Sequence, residues 1–568
     1  MLLAASFVAL GVVVVAGWPR WIAWWFERED PRPLAVFRIA FAVLVVWDVD
    51  GLAPHFELLF GADGMFTASE AWAAFGEVGA SGLLGALRGR FSLLWLVDGA
   101  YALPLVLAAF HLAALCLLVG AWTRPAAIVT VLLFDTLMQR NPVFWEGTEF
   151  VLRVFGVLLA CSRCGATLGV DAWRRRRASG ASTPERVPAW PRRLMLVQLA
   201  LLFAATGLLK EGEAWRRGDA VYYALANTHF ARVDAEALVG IVGASGLVLA
   251  TWVGRTIEVL FPLALVGVVA RWSVGRFAPL RGWRALAMRV GSGSFVVCST
   301  AVVVVTGYPR VLPSGSRPVA VLAWLVVLAL VLSSPVVARR WPCLAAWLLG
   351  RRVWVSVIAL LLVGLWIGMN IGVFHPITLA TLVVWFEGSE LGGRSDDGDS
   401  LAYSPWAHRL GGVLIALHVA ALLLANLPAS TSAARPLALA WLRAARSSQA
   451  WGMWSTPPES DVFLRARARV SDDSIRELAI DLDPRAGQRP VAIGYDRRWK
   501  IVGRVARTAT QGPYLSAYGR WLCRTTEGAQ AIELGTITVV IARPSEPRET
   551  EVDETSLATI ECEPLDAQ

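Results

Sequence analysis

Apolar stretches long enough to cross a bilayer recur from the start of this 568-residue chain to residue 427, and that pattern leaves few possible folds. In lipid every backbone polar group must be satisfied inside the segment, so such stretches form helices packed as a bundle. A crossing helix needs roughly 20 apolar residues. The candidates fall at 2–18, 34–50, 94–120, 125–139, 150–170, 194–210, 245–270, 292–307, 319–338, 354–374 and 409–427. Two pieces, 125–139 and 376–387, are short enough to be half-helices. The expected fold class is an all-α polytopic transmembrane helical bundle of about nine to eleven crossings, with a small β-rich or α+β C-terminal soluble domain. A hydrophobic share of 56% with 27 tryptophans, and a mean hydropathy of +0.54, belong to a multi-pass membrane protein. Tryptophan suits anchoring at both lipid boundaries.

The run Leu2 to Gly17 lacks a basic region before it and an A-x-A-like cleavage site. It is read as a membrane segment or signal anchor. Three parts follow: an N-terminal apolar segment at 1–19, a transmembrane domain at 20–427 and a soluble domain at 428–568. The last is expected to hold strands, because Phe463 to Val470 alternates apolar residues with Arg465, Arg467 and Arg469, and Thr536 to Ile541 is β-branched-rich. Seen as a nucleic-acid patch, the arginine row lacks interleaved aromatics, and no nucleic-acid partner is expected. A polar loop rich in Gly and Asp occupies 391–408. No internal repeat supports an inverted-repeat transporter.

Much of the net charge of +9 lies between apolar segments, so it reports topology. The connections Asp171 to Arg193, Arg271 to Arg289 and Arg339 to Arg352 are basic and are expected on the cytoplasmic side. A segment leaving that side at Leu194 emerges on the exoplasmic side near Lys210. Arg435, Arg443 and Arg446 after the last helix argue for a cytoplasmic tail.

Only two of the 53 basic residues are lysine, Lys210 and Lys500. A lysine amine can be desolvated until it works as a neutral base, whereas arginine stays protonated. Lys210 closes an apolar run and therefore comes first among candidate catalytic residues. Thr206 and Gly207 lie four and three residues before it, on its helical face. Gly207 would let a second helix approach closely, and Thr206 would hydrogen-bond across. The alternative is a pairing of Lys210 with Glu211 or Glu213 that fixes the loop. In the loop Asn141 to Glu149, Glu149 or Glu146 could serve as acid or base, or balance Arg153. Glu149 joins Lys210 as the second catalytic candidate.

Other intramembrane charges are read as structural. Arg38 is assigned an ion pair, with Asp48 and Asp50 near the far end of its helix. Arg255 and Glu258, three apart, are read as one pair. Gly368 to Pro376 breaks a membrane helix with glycine and proline, and non-helical backbone at that depth must line protein or a cavity. That places Asn370 and Phe374 with Thr206 and Trp215 as candidate cofactor contacts. The six histidines show no metal-ligand spacing, and no metal site is expected. Cys161-x-x-Cys164 is read as two small residues at a helix end.

Three stretches together resemble the horizontally transferred transmembrane (HTTM) domain family, related to vitamin K-dependent gamma-carboxylase. They are Asp30 to Val49, Gln198 to Ala224 with its Gly-x-x-Lys…Trp…Gly-x-x-Tyr pattern, and Gly368 to His375. The turn Gly120 to Ala126, the 140–171 block, Gln449 to Trp454 and Tyr518 to Arg524 have the same look. The resemblance implies a carboxylase- or epoxidase-like membrane enzyme, in which a lysine deprotonates reduced vitamin K or a menaquinone. Lys210 falls on that lysine. It also implies an exoplasmic tail, against the arginine count. The carboxylase has a histidine in the loop that reads Trp145 to Glu149 here, and another just before the Met-Asn pair, where this chain has Trp366-Ile-Gly368. Those departures bear on glutamate carboxylation rather than on quinone chemistry.

The leading expectation is a multi-pass protein of the bacterial inner membrane that uses a quinone-like lipid, with a peptide or protein substrate where one exists. The alternative is a non-enzymatic scaffold, or a peptide-maturation or immunity partner.

Overall fold

Hydropathy becomes helix along most of the chain. The computed structural model describes residues 1–75, 91–97, 99–180, 184–307, 317–393, 401–427, 434–449, 451–452, 455–471, 474–478, 498–507, 513–544 and 552–562. Residues 394–400 of the Gly- and Asp-rich loop, 428–433 at the expected domain boundary, and Met453 and Trp454 of the tail motif lie outside the described residues.

Helix α1 (Leu2–Ala16) meets α2 (Trp18–Phe26) at a bend of 80°. Strand β1 (Arg28–Glu29) pairs antiparallel with β2 (Val187–Pro188), so the chain start is tied to the first basic connection. The bundle continues with α3 (Arg32–Asp50), α4 (Ala102–Val119), α5 (Thr123–Arg140), α6 (Gly147–Cys161), α7 (Trp190–Leu208), α8 (Ala235–Leu260), α9 (Pro262–Ser273), α10 (Gly282–Thr306) and α11 (Arg317–Arg340). It closes with α12 (Arg351–Gly368), the short α13 (Phe374–Thr381) and α14 (Pro405–Ala425). Among the described residues seven helices are long and apolar enough to cross a membrane, or eight with the bent pair counted as one span.

The span expected at 150–170 ends early. Helix α6 stops at Cys161 because Arg38, fully buried, donates to the carbonyls of Cys164 at 3.2 Å and Leu168 at 2.5 Å and pins the turn that follows. This corrects the ion pair assigned to Arg38. Asp48 is ten residues away, about 15 Å along a helix, and Asp50 bonds His111 at 2.8 Å. Cys161 and Cys164 are free thiols.

After α14 comes α15 (Arg435–Ala444). It folds back along α14, with Arg435 Nε on the Ala425 carbonyl at 3.4 Å and Trp441 Nε1 on His418 at 3.3 Å. Arg435 and Arg443, which argued for a cytoplasmic tail, thus sit on a helix packed against the bundle, and Arg446 just beyond its end reaches Asp135 at 3.5 Å. Ser448, Gln449 and Trp451 then reach into the bundle: Arg153 of α6 donates to Ser448, Gln198 of α7 to Gln449, and Trp451 is fully buried.

The tail carries a four-stranded antiparallel sheet in the order β4-β3-β5-β6, with β3 Ser460–Val470, β4 Ile475–Leu478, β5 Ala529–Val540 and β6 Val552–Glu561. Its helices are α16 (Arg498–Arg507) and α17 (Tyr514–Thr525). Alternation along β3 buries Ala466 and Ala468. It turns Arg465 toward Glu477 and Glu554, both at 2.7 Å, and Arg469 toward Glu561 at 3.4 Å. Cys523 and Cys562 form a disulfide that ties α17 to the end of β6.

Candidate functional site

Helix α7 brings Lys210 to the end of the bundle where the tail docks. Gly212 N donates to the Ser455 carbonyl at 3.3 Å, Thr228 N to Asp461 at 3.2 Å, and Arg520 meets Glu70 at 2.8 Å. Tail and lysine therefore share one face. The disulfide in that tail suits an oxidising compartment.

Lys210 is buried, and its Nζ lies 2.5 Å from Glu258 Oε2, which is buried as well. The partner comes from α8, 48 residues on, in place of the neighbouring Glu211 or Glu213. Glu258, set beside Arg255 in the sequence reading, is thus held by the lysine, while Arg255 Nε donates to the Gly207 carbonyl at 3.2 Å. The close approach depends on Gly207: an added Cβ would meet Val259 Cγ2 at 2.8 Å and Val259 N at 3.0 Å. The small residue on the lysine's face does bring a second helix in. Thr206 does not bond across; its hydroxyl donates to the Phe203 carbonyl of its own helix at 2.9 Å.

Trp215 covers the other side of the amine, with Nζ 4.6 Å from the ring centroid, a cation–π geometry. Trp215 is held by the turn that ends at Gly218, where φ is +91°. Thr251 of α8 clamps that turn, donating to the Gly218 carbonyl at 2.8 Å and accepting from Val221 N at 3.2 Å.

A hollow of about 100 Å³ adjoins the pair. Thr206, Lys210, Trp215 and Phe374 line it together with Glu258 and His375. The remaining walls are apolar, among them Phe203, Leu361 and Leu365. Asn370 does not line it. Its Oδ1 accepts from Arg232 at 3.0 Å and its N–H donates to the Phe230 carbonyl at 2.7 Å, so it fixes the backbone break. Glu149 is also elsewhere: buried at the start of α6, it accepts from Glu146 N at 2.7 Å in a capping box. Arg153, the cation it was set against, lies 3.9 Å from Asp135.

Two residues of the hollow were missed as site residues. Glu258 carried a signal, since a second ionisable group at membrane depth needs a partner and the lysine is one. His375 stands at the helix break, 1% exposed, and its Nδ1 has no hydrogen-bond partner among the described residues. A buried polar atom without a partner is rare and calls for an explanation. To a ligand this lining offers apolar walls, the Lys210–Glu258 pair and the His375 imidazole. No group of three or more metal-ligating side chains occurs among the described residues.

The HTTM domain family model matches residues 91–279, a stretch that includes Lys210, Trp215 and Glu258. Comparison with curated proteins and with solved structures finds no match.

Proposed function

Starting from a multi-pass membrane protein that carries an HTTM domain, we propose an enzyme that takes a proton from a quinol-like lipid at the Lys210–Glu258 pair. One observation carries this reading: a buried amine–carboxylate pair opens onto an apolar hollow also lined by His375, whose Nδ1 has no hydrogen-bond partner among the described residues. A reduced vitamin K or menaquinone supplies an acidic hydroxyl and two electrons when bound. Lys210 Nζ would accept the proton when the pair holds its shared proton on Glu258, and Glu258, a neutral acid in that state, would stay hydrogen-bonded to the resulting ammonium through its carbonyl oxygen. Trp215 keeps water from the amine. His375 orients the ligand through its second polar edge, and Phe374 and Thr206 form walls.

At about 100 Å³ the hollow is smaller than the roughly 300–1,000 Å³ of most ligand pockets. It takes the reacting edge of the ring, and the rest of the ligand lies along half-buried Leu361 and Leu365 toward the lipid. The face is read as exoplasmic from the basic connections opposite and the disulfide in the docked tail, which matches a bacterial inner membrane. Any peptide substrate would approach from this side.

The test is quinol turnover by the full chain in lipid nanodiscs. In air-saturated buffer, with dioxygen as the two-electron oxidant, wild type consumes menaquinol and forms an oxidised quinone product; a protein lacking both members of the pair does not. The scaffold reading would leave quinol untouched. Deleting 428–568 does not separate the readings, because it would pull Gln449 and Trp451 out of the bundle core.

A further inference from the structure

The geometry points to a binding site for an anionic phospholipid at the opposite, arginine-rich end of the bundle, independent of Lys210. The three basic connections that the sequence placed on one side converge there. They line a polar cavity of about 350 Å³ with seven arginines against three glutamates. Arg192 and Arg193 come from the first connection, Arg271 and Arg276 from the second, Arg351 from the third. The glutamates are already engaged: Glu29 with Arg192 at 2.6 Å, Glu27 with Arg276 at 2.8 Å, and Glu387 with Arg351 at 2.8 Å. The cavity thus has a surplus of positive charge, which a phosphate diester would match.

A second cavity, about 530 Å³, shares Trp24 and Trp272 with the first as a common wall. Apart from Arg20 and Ser273 its lining is apolar, with Val197 and Leu201 of α7, Leu265 and Val269 of α9, and Val419 and Leu423 of α14. The two tryptophans pack edge to face at 5.1 Å, and the Arg193 guanidinium lies 4.2 Å from the Trp24 ring centroid. Helix α2, bent 80° from α1 and carrying Trp18, Trp21, Trp24 and Trp25, has the character of an interfacial helix. A cationic cradle and an apolar slot meeting at aromatic rings match one amphiphile, with its phosphate among the arginines and an acyl chain between α7, α9 and α14. Basic pockets between helices on the side of basic connections favour anionic headgroups.

Thermal melting of the detergent-purified full chain, titrated with phosphatidylglycerol, phosphatidylcholine or glycerol 3-phosphate, tests this. Phosphatidylglycerol is expected to raise the melting temperature while the other two do not. Two surface variants probe the two cavities, Arg271→Glu at the exposed rim and Val269→Trp at the 38% exposed mouth of the slot. Both should melt like wild type without lipid. Arg271→Glu should weaken the half-saturating concentration roughly 10- to 30-fold, and Val269→Trp should abolish the shift. An equal response to phosphatidylcholine, a response to glycerol 3-phosphate alone, or an unchanged phosphatidylglycerol response in either variant would overturn the proposal.

Discussion

Lys210 of the α7 end and Glu258 of α8 meet at 2.5 Å in a buried position, with the Trp215 ring on the far side of the amine. A buried pair of this kind is costly to break and cheap to replace as a unit. Removing one partner strands a buried charge, at about 3–5 kcal/mol, whereas apolar groups of similar volume can be neutral. Lys210→Ala and Glu258→Gln should therefore each lower the melting temperature. The double variant Lys210→Met/Glu258→Leu should recover most of it. Loss of function in the double variant then reports chemistry rather than folding.

Gly207 sets how closely α8 approaches. Gly207→Ala places a methyl against Val259 side chain and backbone, an overpacking that costs about 1–3 kcal/mol. Gly207→Leu should prevent the Lys210–Glu258 contact. A thermal melt of both variants in one detergent checks the order: wild type, then Ala, then Leu.

His375 gives the opposite pattern. Because its Nδ1 is unpartnered among the described residues, His375→Phe removes no hydrogen bond from that atom and fills the same space. Stability should change little. Quinol KM should rise about fivefold to thirtyfold, which corresponds to about 1–2 kcal/mol of lost hydrogen bonding. An unchanged KM would remove His375 from the site.

Much of this was legible in the residues, and the failures share a cause. Many helix positions follow from apolar run length, although seven or eight spans stand among the described residues where nine to eleven were expected. Lys210 stood out because arginine fills nearly every other basic position. The broken helix at Gly368 to Pro376 marked a cavity wall, since glycine and proline at that depth imply backbone facing protein. Partners distant in sequence were not legible. Lys210 had two acidic neighbours in sequence, and the one it meets is 48 residues away. Arg38 had two aspartates on its own helix and binds backbone carbonyls instead. The three tail arginines count toward topology only as a loop, and α15 folds back along α14. Nothing in the spacing of Cys523 and Cys562 announces their bond.

That disulfide closes a separation of 39 residues, for which chain-entropy reasoning gives about 4 kcal/mol. Cys523→Ala/Cys562→Ala should destabilise the sheet domain by up to that amount. Thiol labelling of wild type taken from intact cells should find these two cysteines blocked and the other five reactive after denaturation.

Acid should loosen the arginine-rich end. Burial acts to raise the Glu390 carboxyl, but hydrogen bonds from Arg351, the Glu387 backbone and Arg352 outweigh it and hold the value at about 2, against an ordinary 4.5. With the folded value below the unfolded one, this stabilisation is complete above about 4.5 and is lost as pH falls through about 2. Wild type should lose melting temperature over that window more steeply than Glu390→Gln.

The most direct measurement compares menaquinol consumption by wild type and by Lys210→Met/Glu258→Leu in nanodiscs, at matched melting temperature. Turnover by wild type with none above background in the double variant is the expected result. Equal rates in the two proteins, or no turnover in either, would contradict a proton-accepting Lys210–Glu258 pair.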